Sequence, residues 1–145
     1  MTTIWTIGYE RLLPPALATE LVEAGVERVL DVRYRPQSRR PGMSKTRLGE
    51  LLAERGIAYE HRKALGTPPD IRWYFKNRRE AEGREAFRAH VEETATAELD
   101  ALASELDSAP ATVLMCLEAE PAVCHRRVLT EQLRARRPDL EVVDL

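Results

Sequence analysis

At 145 residues, 43% apolar and 32% charged, the chain has the composition of a globular protein large enough to bury a full hydrophobic core. Its net charge of -2 excludes a general polyanion binder, and no run approaches the ~20 apolar residues of a membrane span. In chain order, a β-branched first strand is expected over residues 3–8, stopping at Gly8. A helix follows, with Pro14 and Pro15 at its start, Leu13, Leu17 and Leu21 four apart, and Gly25 past its end. Residues 28–32 form the second strand, and residues 33–43, with Pro36, Pro41 and Gly42, are a loop. Ser44 is the expected N-cap of a helix carrying Leu48, Leu51 and Leu52 and ended by Gly56, before a third strand at 57–61.

The middle is less regular. Residues 65–70 read as a loop, and the aromatic-rich stretch 71–77 has no clean period. From Arg84 to Leu106 a helical rhythm returns, with a split expected at Thr94–Thr96. A fourth strand at 111–117 leads to a last helix from Pro121 to about Arg137, and a terminal strand follows at 140–143. Strands alternating with helices predict a single α/β domain over residues 1–145. Its expected form is an open, mainly parallel sheet of about five strands with helices on both faces, a Rossmann-like three-layer arrangement. Right-handed crossovers then gather Tyr9, Asp31 to Arg35 and Cys116 to Arg126 along one sheet edge.

The charge is unevenly spread. Residues 32–49 hold six cations and no acid, whereas residues 80–107 are dominated by acids, the pattern of a solvated face. Two cysteines and no export-signal pattern point to a reducing, cytoplasmic setting, which argues against a Cys116–Cys124 disulfide.

Several side chains at the converging edge carry chemistry. Cys124 is expected in the first turn of the last helix, where the helix's positive end and Arg126 favour a thiolate nucleophile; the structural alternative is a packed core cysteine. Cys116, at a strand end, suits packing. His125 falls on the stripe facing the sheet, as a buried, hydrogen-bonded ring or as a general base. Asp31 and Glu118 end two strands and are the acid/base candidates, although Asp31 equally suits holding Arg33. Arg33 and Arg35 offer planar forks suited to phosphate or carboxylate. Cys124 and Cys116 lack the arginine six residues on that a phosphatase loop needs, the positions holding Thr130 and Ala122. Glycine-rich nucleotide loops are absent, so no cofactor is expected, and no metal-ligand spacing occurs.

These residues resemble a known family. Thr-Ile-Gly-Tyr at 6–9, Asp-Val-Arg at 31–33 with Pro36 and Ser38, Leu65-Gly66, and Leu-Met-Cys-Leu-Glu at 114–118 leading to Cys124-His125-Arg126 are similar to the domain-of-unknown-function 488 family. Members often carry histidine where Tyr9 stands. The resemblance implies a compact α/β domain with these motifs clustered, and no settled activity.

The leading reading is a protein binding an anionic, phosphate-bearing small molecule or nucleotide. Arg33, Arg126 and first-turn N–H groups hold the anion, with Tyr9, Arg35, Ser38, Cys116 and His125 around it. If chemistry follows, Cys124 is the nucleophile and Asp31 or Glu118 the acid/base. The alternative is a non-catalytic nucleotide- or nucleic-acid-binding module using the basic loop 33–47, and a third reading gives Cys124 a role in stability alone.

Overall fold

The alternation of short apolar strands with helices produces one open sheet. The computed structural model describes residues 2–120 and 125–145. Strands β1 (Thr3–Gly8), β2 (Arg28–Asp31), β3 (Ala58–His61), β4 (Thr112–Cys116) and β5 (Glu141–Asp144) pair in the order β3-β2-β4-β1-β5. Every pairing is parallel, as the sequence predicts. The registers set Gly8 beside Cys116 and Asp31 beside Met115, which brings three strand ends to one edge. The connection after β1 runs across β4 towards β2, and the connection after β4 runs the other way towards β5. The crevice where adjacent strands send their connections in opposite directions is the usual ligand position of such sheets.

Strand side chains alternate between two cores, as a pleated backbone requires. Val29, Val113, Met115 and Ile7 pack with the helices α1 (Pro14–Glu23) and α2 (Lys45–Glu54). Leu30, Leu114, Cys116 and Ile4 pack with α4 (Glu80–Thr94), α5 (Thr96–Glu105) and α6 (Arg126–Arg136). The three-layer expectation therefore holds. Each fully buried Leu, Ile or Phe contributes about 1.5–3 kcal/mol, so the two cores provide the main driving force. Among the described residues, no helix is long and apolar enough to cross a membrane.

Two local expectations change. Residues 71–76 lie in a helix, α3 (Pro69–Lys76), which also takes the last two residues of the expected loop 65–70; its rhythm is hidden because one face carries Trp73 in half-exposed form. The helix near the C-terminus, α6, is described from Arg126 with His125 at the N-cap position, and the expected start at Pro121 falls outside the described residues. Residues 121–124, including Cys124, lie outside the described residues. Ser44 is the N-cap residue of α2, yet its hydroxyl makes no cap bond. Its Oγ accepts the Ser38 N–H at 3.0 Å instead and closes the preceding loop.

Candidate functional site

The end of β2 is built around one buried ion pair. Asp31 is fully buried and accepts from Arg33 Nε at 2.9 Å, from Nη2 at 2.7 Å and from the Arg33 backbone N–H at 3.1 Å. The Tyr59 hydroxyl donates to the same carboxylate. Arg33 Nη1 donates to the Met43 carbonyl at 2.7 Å and to Tyr9 Oη at 3.2 Å, leaving one N–H of Nη2 over. Burial alone would lower the Arg33 pKa; the Asp31 bond and charge outweigh it and raise it above the ordinary range. Burial and the Asp31 bond likewise raise Tyr59. Arg40 donates to the carbonyls of Leu12 and Glu10, both at 2.7 Å, and its guanidinium stands 5.9 Å from the Tyr9 ring centre. Two of the arginines in the basic loop therefore fasten the loop to the body.

The turn after β4 is fastened from below. Arg126 is completely buried and donates through Nη2 to the carbonyls of Glu118 at 2.7 Å and Ala119 at 3.2 Å, and through Nη1 to Thr6 Oγ1 at 3.2 Å. Burial lowers its pKa, partly offset by Asp144 and Glu118. Gly8 is where the turn crosses β1, since a Cβ there would lie 1.7 Å from the Glu118 carbonyl oxygen. The Glu118 side chain is partly buried. Burial raises its pKa, its own backbone N–H and the Arg72 charge pull it back, and Glu10 pushes it up again. Cys116 Sγ lies 3.7 Å from Glu118 Oε2.

Cys116 is disulfide-bonded, and no cysteine is free among the described residues. This corrects the expectation of reduced thiols, which rested on compartment and not on geometry. His125 is a buried ring whose Nε2–H donates to the Val32 carbonyl at 2.8 Å, with Phe87 edge-on at 5.3 Å. Burial lowers its pKa to about 4, so it is neutral at pH 7.

Between these groups lies a hollow of about 40 Å³ bordered by Arg35, Thr67, Arg72, Glu118 and His125. Tyr9, Arg33 and Cys116 also reach its walls. Ser38 does not: its Oγ accepts the Arg40 N–H at 3.1 Å inside the loop. Arg126 stays beneath the turn. Asp31 and Glu118, weighed as a carboxylate pair, are separated in role, because Asp31 is bound to Arg33 and Tyr59 while Glu118 faces the hollow. Among the described residues, no three metal-ligating side chains converge.

A family model described as domain of unknown function DUF488 matches residues 15–133, most of the chain. The protein belongs to the DUF488 family. No curated protein and no solved structure matches it. The match includes the Asp31–Arg33 pair, the Glu118 turn and Arg126, and begins after Tyr9.

In this DUF488 chain the sequence reading missed the α3 side of the site. Thr67, just before α3, and Arg72, on it, line the hollow together with Arg35. The same three residues, with Tyr34, Trp73 and Lys76, border an adjoining groove of about 220 Å³. One signal could have found them: Pro69, Arg72, Trp73 and Lys76 recur at i, i+3, i+4 and i+7, a single helical face. Two prolines before an irregular aromatic stretch concealed it.

Proposed function

We propose that this DUF488 protein binds an anionic, phosphate-bearing ligand where β2 and β4 end, between Arg35 and Arg72. One observation carries this reading. Among the described residues, the Arg35 and Arg72 side chains make no hydrogen bond or ion pair, while they border the same hollow. Two guanidiniums face one hollow whose single carboxyl, Glu118, is held partly protonated by burial, so positive charge is in excess there and an anion between them gains charge-assisted bonds. The role first given to Arg33 and Arg126 passes to Arg35 and Arg72, because the former pair is occupied by Asp31, Tyr9, Met43 and the Glu118 turn.

Should the bound ligand react, Glu118 is the group suited to proton transfer. It borders the hollow, and its raised pKa brings it nearer to neutral pH than an ordinary carboxyl. Asp31 acts in this reading as the anchor of Arg33. Binding does not require a thiol.

Calorimetric titration with inorganic pyrophosphate tests the proposal. Arg35→Ala and Arg72→Ala should each weaken binding about tenfold or more, the scale of one charged hydrogen bond. A triple replacement of the exposed Arg39, Lys45 and Arg47 by alanine should leave it unchanged. The opposite pattern, with the triple variant losing affinity and the two single variants keeping it, would overturn the proposal in favour of the basic loop as the binding surface.

A further inference from the structure

The outer groove has a composition that a bare anion does not use. Trp73 is 49% exposed, the only aromatic ring so exposed among the described residues. It is nevertheless held in place. Tyr74 meets it edge-on at 5.4 Å, and the Arg79 guanidinium stands 5.4 Å from its centre. Arg79 is itself fixed through Nε to Glu82 Oε1 at 2.7 Å. A large, fixed, solvent-facing ring beside cations is the arrangement on which planar ligands stack.

A second observation points into the same cleft. Thr67 is 5% exposed, and its Oγ1 has no hydrogen-bond partner among the described residues. Buried hydroxyls are nearly always bonded, so an orphan at a cleft wall marks a place for a ligand atom. The position of Thr67 is enforced by Gly66, where a Cβ would lie 2.5 Å from the Tyr34 Cα; this close approach presses the Thr67 segment against the loop that carries Arg35. Hollow and groove share Arg35, Thr67 and Arg72. They are two compartments of one cleft, with cations and an unused hydroxyl at the junction and a fixed indole at the outer end.

We infer that the cleft takes a nucleoside monophosphate, its phosphate at the Arg35–Thr67–Arg72 junction and its base stacked on Trp73, with Lys76 at the rim. This rests on the anion reading above and adds the chemical class of what carries the phosphate. The Thr67 hydroxyl donates to a phosphate oxygen. A sugar phosphate or inorganic phosphate fills the junction and leaves the indole uncovered.

The test compares AMP and UMP with ribose 5-phosphate and inorganic phosphate, by calorimetry and by Trp73 emission in a Trp5→Phe background. Both nucleotides should quench Trp73 and bind about tenfold or more tightly than ribose 5-phosphate, as base stacking on an aromatic ring provides. Trp73→Leu should abolish that advantage and leave ribose 5-phosphate binding as it was. Thr67→Val should weaken every phosphate-bearing probe while raising the melting temperature of the free protein, and Thr67→Ser should restore affinity. Equal binding of AMP and ribose 5-phosphate, still lost in Arg72→Ala, would end the nucleotide inference and keep the anion site. Binding indifferent to Arg72→Ala would end both. A melting temperature lowered by Thr67→Val would show that its hydroxyl serves the fold, and would remove it from the site.

Discussion

Arg33 and Arg126 show how a buried guanidinium can hold a turn and a loop together around a hollow. Each is buried, and each donates to buried or partly buried acceptors: Asp31 and the Met43 carbonyl for one, the Glu118 and Ala119 carbonyls for the other. Removing one member of a buried pair leaves a charge without compensation, at a cost of about 3–5 kcal/mol. Asp31→Ala should therefore lose about that much in urea denaturation, and the double change Asp31→Leu with Arg33→Met should recover part of it. A loss below about 1 kcal/mol for the single variant would contradict the pair's structural role. The two residues are close in sequence, and their bond was one of the readings open from sequence alone. What the chain did not reveal was that Met43 and Tyr9, from other segments, occupy most of the remaining donors.

At the scale of elements, the strand ends are packed more tightly than the helix ends. A Cβ on Gly8 would lie 1.7 Å from a backbone oxygen of the turn after β4, whereas a Cβ on Gly25 meets nothing within 4 Å. Gly25 instead follows α1 at φ 79, in the left-handed region. Gly25→Ala should cost about 1 kcal/mol through backbone strain alone. Gly8→Ala must move one strand end or the Glu118 turn, and should cost more than about 3 kcal/mol, in the range of severe core lesions. Thermal and chemical denaturation of the two variants side by side checks the ordering. The same scale explains why α3 was missed while the long helices were found. α4 and α5 bury Phe87, Val91, Leu99 and Leu102 at helical spacing, but α3 buries only Ile71 fully and presents its regular face to a cleft. Periodicity reports burial, so an element that borders an open cleft loses the signal by which it would be recognised.

At the scale of the molecule, the acidic middle of the chain is less free than a solvated face. Arg88 bridges to Glu131, and Arg136 to Asp100, so α4 and α5 are joined to α6 by exposed ion pairs, each worth about 0–1 kcal/mol. The pH response of the whole fold should depend more on His125. Its folded pKa is about 4 against an ordinary 6.5, so the unfolded chain binds the proton more readily. Stability is then complete above about pH 6.5 and is lost as pH falls towards 4, by roughly 3 kcal/mol in total. Urea midpoints measured across that window should fall with pH in the wild type and much less in His125→Asn. An unchanged slope in the variant would assign the acid sensitivity elsewhere.

The layering, the parallel strands and the meeting of three distant segments at one edge were legible in the residues alone, because these follow from the local spacing of apolar side chains and the right-handed hand of crossovers. It took the packed molecule to reveal which arginines border the hollow and which are tied up in the fold, that Cys116 is bonded, and that Thr67, Arg72 and Trp73 line the cleft. Hydrogen-bond partners are chosen at distances near 3 Å between segments far apart in the chain, and no local pattern records which donor reaches which acceptor first.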